Sequence, residues 1–135
     1  QQDLNRSWSI HESAVTAMVI RIEDGLRLLK EWFGDARKVG RRWSTHGYEK
    51  PINRAILDVQ VASALDTTVR DAVKDGRLNF EACFIELSED SLDFFQAISG
   101  TTKSVAAVRA RFAAWQQTLE TALGEPIHLA RLPSA

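Results

Sequence analysis

The chain has 135 residues, a length that suits one domain with a single apolar core and leaves little room for two. Its 17 Lys and Arg against 18 Asp and Glu leave a formal net charge of −1, which excludes attraction of DNA or anionic membrane by the whole-chain field. At 44% hydrophobic and 26% charged residues, the composition excludes a disordered or low-complexity scaffold.

The first element predicted is a long amphipathic helix. Ser9 and Glu12 have capping-box spacing, and Ile10, Ala14, Val15, Met18, Val19, Ile22, Leu26, Leu29 and Phe33 recur at helical intervals up to Gly34, a suitable left-handed C-terminal cap. Residues 35–50 break the pattern and read as a long basic and aromatic connecting loop closed by Pro51. A second helix is expected from near Asn53, with Ile52, Ala55, Ile56, Val59, Ala62 and Leu65 on one stripe. A short helix follows from Asp66 or Thr67 to Gly76, and another from Asn79 carrying Phe80, Cys83, Phe84 and Leu87. Ser88 or Ser91 is expected to open the next, with Glu89 and Asp90 at the positive end of its dipole, Leu92, Phe95 and Ile98 buried, and Gly100 as the stop. The last helix spans about Ser104 to Leu123, with Val105, Val108, Phe112, Trp115, Leu119 and Leu123 on one face, ended by Gly124 and Pro126. Ile127, Leu129 and Leu132 suggest a short extended tail. No alternating strand pattern and no internal repeat appear, so the expected architecture is an all-α, single-domain orthogonal bundle of about five or six helices over residues 1–135.

Cys83 stands alone, so the chain has neither an internal disulfide nor a thiolate cluster, and a reducing, cytoplasmic compartment is expected. No apolar run reaches the roughly 18 residues of a membrane span, and no membrane partner is expected. The single methionine, Met18, lies inside a periodic segment, and the chain is expected to be a fragment of a larger protein.

Chemistry-bearing residues are few. Arg37, Lys38, Arg41, Arg42, Trp43, His46, Tyr48 and Lys50 interleave cations with rings, a composition suited to phosphates and unstacked bases. Arg37, Lys38, Arg41, Arg42, Trp43 and Lys50 are the nucleic-acid candidates, against the alternative of a solvated turn whose rings cover the core. His11, His46 and His128 are too scattered for a zinc site, and no nucleophile elbow accompanies the serines. Asp71, Asp75, Glu81 and Glu86 are expected to cap, pair or stay solvated. Gly100-Thr101-Thr102-Lys103-Ser104 has phosphate-loop residues without the spacing and reads as an interhelical turn. Of the four tryptophans, Trp115 belongs to the core, while Trp8 and Trp32 are the candidates for an interface. No catalytic residue, metal or cofactor is expected. A pocket between the Phe80 to Phe95 region and the last helix would be the mark of a small ligand-binding protein or enzyme.

Three stretches together carry a resemblance that spans nearly the whole chain: Trp32-Phe33-Gly34-Asp35-Ala36-Arg37, Pro51-Ile52-Asn53-Arg54-Ala55-Ile56-Leu57-Asp58, and Phe94-Phe95-Gln96-Ala97-Ile98 continuing through Thr101 to Val108-Arg109-Ala110-Arg111-Phe112. They resemble the helical C-terminal region of the GmrSD-type bacterial restriction and phage-defence proteins, whose first domain is ParB-like or sulfiredoxin-like. The resemblance implies a parent protein that couples a nucleotide-dependent domain to DNA cleavage. The Asp-Gly-Gln-Gln-Arg stretch of that first domain is absent from this sequence, as is a His-Asn-His nuclease motif. Phe33, Arg37, Asn53, Leu57, Thr101, Arg109 and Arg111 match the family's pattern, mostly in packing and capping roles. Ile56-Leu57-Asp58 departs from it by lacking the aromatic ring of relatives. The implied role is a non-catalytic helical module for domain packing, oligomerisation or DNA contact. Its implied partners are the parent's N-terminal ParB-like domain or a second copy, and DNA.

Overall fold

The computed structural model describes residues 2–99 and 103–130, with side chains from Ser9 onward. The protein is all-α. Helix α1 (Gln2–Phe33) is followed by a 3-10 turn (Ala36–Lys38), a hairpin of β1 (Trp43–Ser44) and β2 (Gly47–Tyr48), then α2 (Arg54–Leu65), α3 (Thr67–Lys74), α4 (Phe80–Asp90), α5 (Leu92–Ala97) and α6 (Val105–Leu123).

Helix boundaries follow local capping chemistry. Side-chain oxygens of Asn53, Asp66, Asn79, Ser91 and Ser104 accept hydrogen bonds from the backbone N–H groups of Ile56, Val69, Ala82, Phe94 and Ala107, at 3.0 to 3.1 Å. Each satisfies a donor the first helical turn leaves unpaired. Gly34 and Gly124 adopt left-handed φ values of 77° and 73° at the ends of α1 and α6, as their positions predict.

The core is aromatic at its centre. Trp115 of α6 is fully buried and lies edge-on to Phe80 (5.2 Å) and Phe84 (6.2 Å) of α4, and Phe33 from α1 meets both phenyl rings in the same way. The Trp115 indole N–H donates to the Ser63 hydroxyl, which in turn donates to the Val59 carbonyl at 2.7 Å. Both polar groups are thereby satisfied without water. Leu29, Ile56, Val59, Phe94 and Leu119 close around this centre. Burying each side chain of that size contributes about 1.5–3 kcal/mol. The tail is extended, with Ile127 and Leu129 buried and their N–H groups donating to Glu120 Oε1 and Gln116 Oε1. Leu132 lies outside the described residues.

Four local expectations are corrected. Ser9 does not cap α1, which runs through it from Gln2, because no Gly or Pro between Gln2 and Ser9 stops a helix there. The segment 35–50 is not an unstructured connection: it forms the 3-10 turn and a two-stranded hairpin pairing Trp43 with Tyr48 and Ser44 with Gly47. Strands of two residues carry no readable alternation. Ser88 does not open α5; it lies within α4, where its hydroxyl donates to the Phe84 carbonyl, and Ser91 is the cap. Glu89 and Asp90 therefore sit at the C-terminal end of α4, where the dipole disfavours them. With α5 beginning at Leu92, its inward residues are Phe94, Ala97 and Ile98 after it, while Leu92 and Phe95 face outward. The expected stop at Gly100 lies outside the described residues.

Candidate functional site

The basic segment is built on a tightly tied base. Asp35 caps the 3-10 turn by accepting from the Arg37 N–H at 2.8 Å, and its carboxylate also binds the Arg37 guanidinium at 3.0 Å. These contacts with Arg37 hold the Asp35 carboxyl at a pKa of about 2. Gly40 is buried with φ +70°, and a Cβ there would approach Leu57 Cδ1 at 3.0 Å, so a side chain at this position is strained and crowds Leu57. Its N–H donates to Gln60 Oε1 at 2.8 Å, and its carbonyl accepts from the Asn53 N–H at 2.8 Å. Arg41 folds back over the loop, its guanidinium donating to the carbonyls of Val39, Ala36 and Lys50 at 2.8, 3.2 and 3.3 Å.

The hairpin is pinned to α4 by two carboxylates that lie far away in sequence. Tyr48 Oη donates to Glu81 Oε2 at 2.8 Å, and Lys38 Nζ reaches the same oxygen at 3.3 Å while lying 5.8 Å from the Tyr48 ring centre. Burial, then the hydrogen bond to Glu81, raises the Tyr48 pKa well above that of an ordinary phenol. Trp43 Nε1 donates to Glu89 Oε1 at 3.2 Å, and its ring sits edge-on to Tyr48 at 5.0 Å. Arg42 lies 4.2 Å over the Phe95 ring of α5.

Most of the nucleic-acid candidates thus have partners within the chain. Arg37 pairs with Asp35, Lys38 with Glu81, Arg41 with backbone carbonyls, Arg42 with Phe95 and Trp43 with Glu89; Lys50 is exposed. The pairing expected of Glu81 is present. Glu89 was legible in the sequence only as a helix-end acid, since its partner lies 46 positions away.

Between the hairpin and the α4–α5 corner lies an open groove of about 380 Å³. Phe94, Phe95 and Ile98 form its apolar part, with Arg42, Trp43, Glu49 and Glu89 among the polar walls. The groove lies on the hairpin side of Phe94 and Phe95, not between the Phe80 to Phe95 region and α6 where the ligand-binding alternative put a pocket. Phe80, Phe84 and Phe112 are buried in the core, and the groove faces the hairpin instead.

A second feature is the surface of α1. From Ile22 to Phe33 the helix packs on the core through Ile22, Leu29, Trp32 and Phe33. Ahead of this, Ile10 and Ile20 are 65% and 60% exposed, and Val15 and Val19 are also exposed. Trp32 is half-buried against Phe80, with ring centres 4.9 Å apart. The Trp8 side chain lies outside the described residues. In the interior, Arg111 of α6 is buried with its guanidinium 3.8 Å from the Asp58 carboxylate of α2. Burial lowers the Arg111 pKa and raises that of Asp58, against their mutual attraction.

Among the described residues no group of three or more His, Cys, Asp or Glu is arranged to hold a metal ion, and no helix is long and apolar enough to cross a membrane. The phosphate-loop-like stretch falls largely on Gly100, Thr101 and Thr102, outside the described residues; Ser104 caps α6. Comparisons with protein-family models, curated proteins and solved structures return no match.

Proposed function

We propose that the chain is a non-catalytic helical module of a bacterial restriction or phage-defence protein, docked through the N-terminal half of α1 onto a neighbouring domain of the same parent polypeptide. The observation that carries this is the exposed apolar surface of α1 before Ile22. Helices in proteins gain most of their stability from covering an apolar face.

Ile10, Ala14, Val15, Met18 and Val19 lie on one broad face of the helical wheel, which also carries His11 and Arg21, and Ile20 lies on the opposite side. A neighbouring domain that encloses more than one side of the helix covers both Ile20 and this face, whereas one further helix covers a single side. The three stretches resembling GmrSD-type proteins name that domain as the ParB-like one, which carries the Asp-Gly-Gln-Gln-Arg stretch. DNA contact is the weaker role, because Arg37, Lys38 and Arg41 already have partners in the fold.

The test has two parts. The chain alone is expected to sediment as a monomer at tens of micromolar and to leave plasmid DNA and nucleoside triphosphates intact. Joined to the domain encoded upstream in its open reading frame, it is expected to unfold at a higher temperature, and Val15→Asp to abolish that gain. Robust cleavage or hydrolysis by the isolated chain overturns the non-catalytic assignment. A dimer that Val15→Asp dissolves transfers the surface to a second copy. Duplex binding that weakens steeply with salt, and with loss of Arg37 or Lys50, transfers the role to DNA.

A further inference from the structure

We infer that the groove between the hairpin and α5 receives an arginine side chain from a basic segment of a partner protein. It is separate from α1 and does not depend on the docking assigned there. Its capacity of about 380 Å³ lies at the lower end of the range that holds small ligands and anchoring side chains. The walls supply two carboxylates, Glu49 and Glu89, against one cation, Arg42. Exposed Asp90 and Asp93 follow on α4 and α5, so carboxylates outnumber cations around the groove even with Arg41 and Lys50 beside it.

The seat for a guanidinium is visible in the fold itself. Phe95 is 45% exposed, and the chain places its own Arg42 4.2 Å over that ring. Stacking of this kind favours Arg, whose flat, weakly hydrated cation covers an aromatic face at little desolvation cost. Glu89 uses one oxygen for the Trp43 indole, and a carboxylate has capacity for several further donors. The Trp43 ring, partly exposed at the groove wall, offers apolar surface to the aliphatic stem. A phosphodiester meets the opposite situation, with two carboxylates repelling it and the one nearby arginine already stacked.

The probe is the blocked peptide acetyl-Gly-Arg-Gly-Arg-Gly-amide, compared with its citrulline counterpart, which keeps the shape and loses the charge. Titrated into the isotope-labelled chain, the arginine peptide is expected to shift the Trp43 indole and Phe95 amide resonances with millimolar affinity. The citrulline peptide is expected to bind at least several-fold more weakly. Phe95→Ala lowers affinity by about 2- to 5-fold, and Glu89→Gln by a similar factor that shrinks as salt is added. Arg42→Ala frees the ring and tightens binding. Both Phe95 and Arg42 lie outside the core, and unchanged thermal melts of the variants separate lost binding from lost folding. Equal binding of the citrulline peptide overturns the proposal, as does an absence of shifts at millimolar peptide. A single-stranded oligothymidine that moves the same resonances, and that Arg42→Ala weakens, also overturns it and assigns the groove to nucleic acid.

Discussion

The two halves of α1 have nearly the same kind of sequence and opposite environments. Ile22, Leu29, Trp32 and Phe33 interlock with α2 and α4, whereas Ile10, Val15, Val19 and Ile20 stand in solvent on the same continuous helix. Both halves repeat apolar residues at helical spacing, so periodicity identifies the element and its faces but not what covers them. The difference comes from elements far along the chain. The C-terminal half finds Phe80 and Phe84, which belong to α4, and no comparable ring reaches the N-terminal half among the described residues.

That contrast can be broken from either side. The largest effect is expected in the packed region, where Trp115→Ala leaves a cavity and removes the indole donor to the Ser63 hydroxyl, at a cost of about 3–5 kcal/mol read by denaturant unfolding. Asn53→Ala comes next. It removes the cap of α2 and the hydrogen bond from Asn53 Nδ2 to the Ile98 carbonyl, for a loss of about 1–3 kcal/mol.

Tyr48→Phe is smaller, about 1 kcal/mol at neutral pH, since one half-buried hydrogen bond to Glu81 is lost. It also has a pH signature. The folded phenol holds its proton above the ordinary pKa of 10.0, so its contribution is complete below that pH and disappears as the pH rises beyond it. Tyr48 is the only tyrosine, so tyrosinate absorbance is expected to appear together with alkaline unfolding rather than before it. The Phe variant is expected to lose that part of the alkaline destabilisation. The smallest change is expected on the bare half of α1, where Val19→Ser alters the stability of the isolated chain by no more than about 0.5 kcal/mol. A loss of several kcal/mol there would mean that the half is already covered within the chain or by a second copy.

Helices were legible where a rule acts over three or four residues. Asn53, Asp66, Asn79, Ser91 and Ser104 each cap from within their own turn, and Gly34 and Gly124 end helices by their own φ freedom. Ser9 shows the limit of the same rule: a capping pair is an option that the chain declines when helix formers precede it. In α5 a helix begun at Ser91 rather than Ser88 rotates the register enough to exchange Phe95 for Phe94 in the core. The basic hairpin is the least legible region, although its Trp43, His46 and Tyr48 stand out in the sequence. Its shape depends on Gln60, Glu81, Glu89 and Phe95, each 20 or more positions away, and no local pattern points to such partners. The candidate nucleic-acid residues therefore read as a cationic cluster in the sequence, and in the fold two of the cations, Arg37 and Lys38, are paired with carboxylates while Arg41 and Arg42 are held by carbonyls and a ring.

The grip of Arg41 on three carbonyls has a consequence for handling the protein. Trypsin cuts after Arg and Lys, and residues 37–50 offer four such bonds, Lys50 being protected by Pro51, in what looks like a floppy stretch. A protease needs several residues drawn out in extended form, and here that means prising off the guanidinium that closes the loop into a ring. Digestion should therefore spare this most cleavable-looking stretch until the ring opens, and lysine in place of Arg41, a single ammonium point in place of a planar fork, should turn it into the first site of nicking.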